Sequence, residues 1–247
     1  MGTRPVRVLV VGATIAACGR VGFESRAPGG DAPIGDTAAD GDAAAPAALV
    51  AMSAQQGSAT GTQLAIQRSV PGDLLVVAIV TWDGTQVADV RDENGSALVS
   101  AGVRAVMTNT SSELWYAAPV AATSTIDVTM AGSASGYDVF VAEFSNIAAG
   151  PPAQTGGACL QYPPAVVTAP VTTTVPGELV VGATMLAYPA YASTVTAPFS
   201  ALPTEDGNGV AYLVADTPGS YGPSWGVGMG SGMTAMTCTS TAAFLPR

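Results

Sequence analysis

The sequence contains no histidine and no lysine in its 247 residues. Without histidine it cannot form a Ser-His-Asp triad or a histidine-ligated metal site, and without lysine it has neither a P-loop lysine nor a pyridoxal Schiff base. Its eight arginines are set against 18 acidic residues, which gives a net charge of −10 at pH 7. This balance excludes a basic patch for nucleic acid, and no cofactor and no metal are predicted.

Long apolar runs are also scarce, and the apolar run nearest the N-terminus is short. Arg4 and Arg7 precede an apolar segment from Val8 to Ala17. A charged start, a short apolar middle and a small-residue end are the order of a secretory signal. The segment is about half as long as a membrane-spanning helix requires. A buried strand and a membrane anchor are the alternatives, but a strand would not need the paired arginines or the abrupt small-residue end.

The leader ends in Ile15-Ala16-Ala17-Cys18 and is followed by Gly19. This motif resembles the lipobox of bacterial lipoproteins. The resemblance implies that residues 1–17 are a signal peptide, that Cys18 is acylated, and that the lipid is the link to the membrane, because two or three acyl chains hold durably where one does not. Gly19, in place of an aspartate, implies outer-membrane sorting in a cell with two membranes. The expected location is therefore the bacterial cell envelope, outside the cytoplasm.

Residues 18–48 are predicted to be a lipidated tether. Segment 23–48 consists mainly of alanine, glycine, proline and aspartate. Such a segment buries too little apolar surface to offset a backbone ordering cost of about 1–2 kcal/mol per residue, so we expect it to be flexible.

Two further cysteines, Cys159 and Cys238, remain once Cys18 is assigned to the lipid. In an oxidising compartment they are a candidate disulfide pair. Two free, buried thiols are the alternative.

A repeated phrase is the strongest internal signal. SVPGDLLVVAIV, residues 69–80, returns as TVPGELVVGATM, residues 174–185. The Pro-Gly pairs favour type II turns, because proline fixes φ and glycine accepts a positive φ. Each turn is followed by an acid, Asp73 or Glu178, and then by an aliphatic run typical of a strand buried on both faces.

Weaker sequence similarities extend this repeat. LWYAAPV at 114–120 resembles VAYLVAD at 210–216, and each half closes with a similar phrase, AEF or AAF. We interpret residues 49–149 and 164–247 as two related halves, joined by a Gly/Pro-rich connector at 150–163. Chance repetition of one phrase is the alternative.

The remaining patterns also favour strands. Ile126, Val128 and Met130 alternate with polar residues, the period of a half-exposed strand, whereas YDVFVAEFSNI is apolar on both faces and predicts a central one. Asn94-Gly95 predicts a hairpin turn, and no segment has a convincing helical period. The fold class is therefore all-β, an antiparallel β-sandwich of jelly-roll-like form. The order of these phrases resembles a β-sandwich module of bacterial surface and secreted proteins, which implies an envelope location and no particular activity.

Three classes of function stay open at this point. A structural, adhesive or display role with surface proteins as partners is preferred, because it requires the least of the sequence. A module for glycans or another envelope polymer is the alternative. Its candidate ligand-binding aromatics are Trp82, Tyr188, Tyr191 and Trp225, although rings of this size are most often packing anchors.

An enzyme is not expected, although paired carboxylates would suit a glycoside hydrolase or a lyase. The acidic candidates are Asp83, Glu113, Glu143 and Glu178. Because Asp73 and Glu178 take equivalent places in the repeat, a turn-capping role is favoured for them. Calcium is a lesser alternative at the acidic turn that contains Asp89, Asp92 and Glu93.

Overall fold

The structure is a computed structural model that describes residues 45–161, 165–186, 190–202, 207–229 and 236–247. All of its regular elements are β-strands, as predicted, and the sheets are antiparallel. The predicted signal peptide, the acylation site Cys18 and nearly all of the predicted tether lie outside the described residues, as does Tyr188. In the part of the chain that is described, no helix is long and apolar enough to cross a membrane.

The first half of the chain forms a six-stranded sheet in the order β1-β6-β2-β5-β4, with β3 paired to β6. Its strands are β1 (Ala48–Ala65), β2 (Leu74–Thr81), β3 (Val87–Asp92), β4 (Val99–Met107), β5 (Thr110–Ala117) and β6 (Thr125–Ser145). The long strand β6 is therefore central, as its apolar second half predicts. In its first half Ile126, Val128 and Met130 are buried between more exposed neighbours, which confirms the predicted alternation.

The second half forms a five-stranded sheet in the order β12-β13-β10-β16-β7 and two smaller sheets, β11-β15-β8 and β14-β9. The strands of the five-stranded sheet are β7 (Gln154–Gln161), β10 (Glu178–Leu186), β12 (Ser200–Leu202), β13 (Gly209–Ala215) and β16 (Met236–Phe244). The strands of the smaller sheets are β8 (Ala165–Val167), β9 (Val171–Thr173), β11 (Ala190–Val195), β14 (Gly219–Tyr221) and β15 (Ser224–Met229).

The two repeated phrases form the two central strands β2 and β10. Gly72 and Gly177 have φ values of +94° and +85°, which the predicted Pro-Gly turns require and which other residues rarely adopt. Every residue of β2 and of β10 is buried. Each strand has antiparallel neighbours on both sides, β6 and β5 for β2 and β16 and β13 for β10. The side chains on the two faces of each strand pack in different hydrophobic clusters, so apolar residues are required on both faces.

The phenylalanines of the similar phrases AEF and AAF pair with the two central strands. Leu74 at the start of β2 faces Phe144 of β6, and Leu179 at the start of β10 faces Phe244 of β16. All four side chains are completely or almost completely buried in one hydrophobic cluster that both large sheets supply.

Aromatic rings connect the two large sheets through this cluster. The ring of Phe144 meets that of Tyr212 edge-to-face at a centroid distance of 5.4 Å, and the ring of Tyr116 meets that of Phe244 at 5.8 Å. Both distances are in the range that edge-to-face pairs favour. The six-stranded and the five-stranded sheet are therefore packed against each other through a shared core.

Candidate functional site

Trp225, one of the four aromatic candidates, is a core residue. It lies on β15, is 1% exposed and packs with Val166 and Leu186. Gly209 lies so close that an added Cβ would be 2.8 Å from the indole nitrogen. A ring enclosed in this way offers no face to a ligand, so the structure places Trp225 with the packing anchors and not with an exposed binding surface.

Trp82 is partly buried, at the end of β2. Its backbone amide donates to the carbonyl oxygen of Gly136, and its ring lies over that glycine, where an added Cβ would be 2.1 Å from the indole. Tyr191 lies on β11, paired with Gly228, and its side chain is not described, like all of Tyr188. Of the two aromatic candidates whose side chains are described, Trp225 lies in a core and Trp82 packs on Gly136.

Cys159 and Cys238 form a disulfide in the structure, with an S–S distance of 2.03 Å. The two residues face each other across the β7–β16 ladder. Cys238 is completely buried, and its sulfur lies 3.3 Å from the hydroxyl of Thr110 in the other large sheet. The disulfide therefore fixes the edge strand β7 to the core.

Glu178 closes the second Pro-Gly turn. One of its carboxylate oxygens accepts hydrogen bonds from the backbone amides of Thr174 and Val175 and from the Thr174 hydroxyl. The side chain is completely buried. Its carboxylate is therefore used to hold the turn, which is the capping role that the repeat favours.

The first Pro-Gly turn is closed by a different residue. The amide of Val70, at the position equivalent to Val175, donates to Glu143 on β6 at 2.5 Å. Burial raises the pKa of the Glu143 carboxyl; the bond from Val70 lowers that pKa in part, and the nearby charge of Asp73 raises it again. The acid that follows each turn therefore does not have the same role in both halves.

Glu113 is the other buried acidic candidate. It accepts hydrogen bonds from the guanidinium of Arg104 at 2.8 Å and from the backbone amide of Val87 at 3.3 Å. Burial raises the pKa of Glu113, and the contacts with Arg104 and Val87 act in the opposite direction. Spacing within a sequence repeat does not reveal this pair, because it depends on the β4–β5 register.

Asp83 lies in the loop after β2 and accepts backbone hydrogen bonds from Thr85 and Ser135. Its burial raises the pKa, but these hydrogen bonds outweigh that effect and hold the pKa below its ordinary value. The four acidic candidates thus have four separate sets of partners within the fold.

Two carboxylates of the acidic turn considered for calcium accept hydrogen bonds from the protein itself. The carboxylate of Asp92 accepts the amides of Asn94 and Ser96, and Glu93 accepts the amide and hydroxyl of Ser124. Gly95 has a φ of +80°, as the predicted Asn-Gly turn requires. Within the described ranges, no three acidic, cysteine or histidine side chains come together as a metal-binding group.

Both Pro-Gly turns lie against one segment, residues 245–247. A guanidinium nitrogen of Arg247 donates to the carbonyl oxygen of Gly72 at 2.8 Å. Pro246 lies beside Gly177, where an added Cβ would be 3.5 Å from the proline. The starts of β2 and β10 are therefore at the same end of the molecule.

The described chain also begins at this end. The side-chain amide of Asn146 donates to the carbonyl oxygen of Pro46 at 3.0 Å, and the carbonyl of Asn146 accepts the amide of Arg247 at 3.0 Å. Ala47 is buried in the shared core. We call this end the turn pole, and define it as residues 46–48, 70–73, 145–147, 175–178 and 245–247.

An open groove of about 270 Å³ lies beside the turn pole. It is lined mainly by apolar residues, among them Val99, Tyr116, Pro119 and Pro151. The amide of Val120, next to Pro119, donates to the carbonyl of Asp73, which places the groove directly next to the first turn. Such a groove suits an apolar ring or a short extended segment.

The raised pKa of Glu143 predicts a pH effect that Glu143→Gln removes. A native state that binds its proton more tightly than the unfolded chain loses stability as the pH rises, from the ordinary value of 4.5 up through the raised pKa. Glutamine keeps an oxygen for the Val70 amide. We therefore expect the stability of Glu143→Gln relative to wild type to increase from about pH 4 to about pH 7, measured by urea denaturation.

Asp83→Asn is the matched control, because the pKa of Asp83 is lowered. A carboxylate of that kind adds stability that is present above its unfolded pKa of 3.8 and is lost as the pH falls through the lowered pKa, so the stability of this variant relative to wild type should stay nearly constant over the same rise in pH. Parallel pH profiles for the two variants would contradict the assignment.

Comparison with known proteins gives no relative from which a role could be transferred: no family model, curated protein or solved structure matches the chain.

Proposed function

We propose that the chain is a lipid-anchored protein of the bacterial cell envelope, whose β-domain has a structural, adhesive or display role outside the cytoplasm. The observation that carries the proposal is the leader with Arg4 and Arg7, its short apolar middle and the Ile15–Cys18 motif, placed ahead of an all-β domain. The lipid on Cys18 is the membrane link, residues 18–48 are the tether, and Gly19 favours the outer membrane where the cell has two.

The domain in this proposal is a jelly-roll-like sandwich of two related halves. Besides the equivalent phenylalanines, two tyrosines support it: Tyr116 faces Val76 across β5–β2, and Tyr212 faces Val181 across β13–β10. The two valines are equivalent in the repeat, and so are the tyrosines. Matching partners on both sides of both central strands are what a duplicated unit would retain.

A display role is supported by how the buried carboxylates are used. Glu113, Glu143 and Glu178 all hold backbone amides of neighbouring loops or strands. Hydrogen bonds of this kind fix turn geometry and stabilise the fold. These three carboxylates therefore serve the shape of the domain, which is the property that an envelope scaffold requires.

The proposal is tested by Cys18→Ala in the producing cell. Wild-type protein should fractionate with membranes and show an acylated N-terminal cysteine by mass spectrometry. The variant cannot be acylated, so it should lose its membrane association, since the proposed anchor depends on that one thiol. Cys159→Ala is the control, because it removes a cysteine without touching the leader, and it should remain membrane-bound. An unmodified wild-type protein in the soluble fraction would refute the anchor.

Binding of a glycan or another envelope polymer is a second candidate, favoured by the groove beside Tyr116. The lining of this groove is mainly apolar, with Val99 about half exposed, and such a surface can pack against the apolar face of a sugar. Glycan-array binding that is lost in Val99→Asp but kept in Val106→Asp would support it, since both valines are about half exposed on β4 but only Val99 lines the groove.

A further inference from the structure

The turn pole carries three of the exposed large apolar side chains of the domain. Eight large apolar residues are at least 40% exposed in the described part of the chain. Val70, Val175 and Leu245 all belong to the pole as defined above, with exposed fractions of 50%, 40% and 41%. Val70 and Val175 precede the prolines of the two turns, so the repeat places an exposed valine beside residues 245–247 twice.

The acidic side chains near the two turns do not prevent the turn pole from entering an apolar environment. Glu143 is 2% exposed and Glu178 is fully buried, and each accepts the backbone amide of one of the exposed valines. Asp73 is 9% exposed. The carboxylates are thus turned inward, while the apolar side chains point out.

The path of the chain indicates which partner this surface contacts. The carbonyl of Pro46 is bonded to Asn146, which is bonded in turn to Arg247, so the chain enters the domain at the turn pole. About 27 residues separate Cys18 from Ala45, which can span at most about 95 Å. An acyl group on Cys18 would therefore keep the pole at a high effective concentration next to the bilayer.

We propose that the turn pole is a membrane-contacting surface, which inserts Val70, Val175 and Leu245 into the interface of the bilayer that holds the acylated Cys18. The inference rests on the proposed lipid anchor. Three partly exposed side chains bind a bilayer weakly by themselves, but a second contact within a tethered molecule needs little affinity. Docking orients the domain, with the opposite end of β2 directed away from the membrane.

The test uses the full-length chain, purified from membranes and reconstituted into phosphatidylcholine vesicles that contain a brominated lipid. A polarity-sensitive dye is attached to a cysteine that replaces Val175, or in a matched control to one that replaces Val106. Val106 is 48% exposed and lies beside Gly84, at the opposite end of the β2–β5 ladder. We expect quenching by the brominated lipid to be about twofold or more stronger at position 175 than at 106.

A second variant tests the role of the side chains. Leu245→Ser in the position-175 probe should reduce the quenching, whereas Val167→Ser should not, because Val167 is exposed on β8, paired with Ser224, and is not one of the residues that define the pole. Both replacements are at exposed positions, so the fold should be retained.

The possible results of this test distinguish a failure of the docking proposal from a failure of the proposed lipid anchor. Equal quenching at both labelled positions in vesicle-bound protein would overturn membrane docking and leave the anchor standing. Protein that does not float with vesicles would overturn the anchor, and docking with it. The emission of the dye at position 175 could instead shift as the density of protein on the vesicles rises, without quenching by the brominated lipid. This result would assign the pole to a contact with a second copy of the chain and overturn the proposal.

Discussion

Replacing Phe144 with alanine should lower the free energy of unfolding by about 3–5 kcal/mol, the largest loss we expect from a single substitution. The ring is completely buried, faces Leu74 in the central ladder and packs edge-to-face on Tyr212 of the other large sheet. Its removal takes away apolar burial and leaves a cavity that neighbours in two sheets cannot both fill. Urea denaturation followed by tryptophan fluorescence measures the loss.

Two comparisons sharpen this prediction. Phe244→Ala should have a cost of similar size, because Phe244 is buried against Leu179 and Tyr116 in the same core. Val106→Ala should change the unfolding free energy by less than about 0.5 kcal/mol, because that side chain is half exposed. A Phe144→Ala loss no larger than that of Val106→Ala would show that the two large sheets do not share this core.

Removing the disulfide should have the second largest effect. The double variant Cys159→Ala/Cys238→Ala opens a link between residues 79 positions apart. In the chain-entropy account, this link restricts the unfolded chain, and its loss is expected to lower the free energy of unfolding by about 2–4 kcal/mol. The denaturation midpoint of the variant in urea, compared with that of oxidised wild type, gives the effect.

Reduction of the wild type is the matched experiment, since it opens the same bond without changing the sequence. Wild type in excess reductant should approach the midpoint of the double variant, and the variant itself should not respond to reductant. Wild-type midpoints that are identical with and without reductant would contradict a stabilising bond between β7 and β16.

The local features of the fold could be predicted from the sequence because they depend on a few neighbouring residues. Gly72, Gly95 and Gly177 all have positive φ where Pro-Gly or Asn-Gly turns were expected. The buried strands β2 and β10 followed from aliphatic runs between turns. In each case the backbone preference and the apolar pattern lead to the same structure, so no long-range information is needed.

The candidate site could not be predicted in the same way, because its residues are brought together by pairing across the sheets. Trp225 lies two residues after Pro223 and directly before Gly226, residue types that often mark exposed loops, yet pairing of β15 with β8 places it in a core. Asp138 and Asn208 form a buried hydrogen bond of 2.6 Å between segments 70 residues apart. An acid within an apolar run, such as Asp138 in YDVFVAEF, is the sequence signal for such a bond.

The capping of the two Pro-Gly turns is the clearest example of a contact that the sequence alone does not predict. The repeat predicts equal roles for Asp73 and Glu178, but the shorter aspartate is replaced in the first turn by Glu143 from the neighbouring strand. Sequence equivalence identifies the place that needs an acceptor. Which side chain supplies it is decided by strand register, which a single sequence does not specify.

The position of β1 has a mechanical consequence. This strand starts at the turn pole, at Ala48, and runs away from it along β6, with paired residues from Ala48 to Ala65. A pulling force applied to the chain at residue 45 and directed away from the pole therefore acts along the axis of β1. Its hydrogen bonds to β6 are therefore loaded in shear, along a ladder that has three register shifts and is the longest in the described part of the chain.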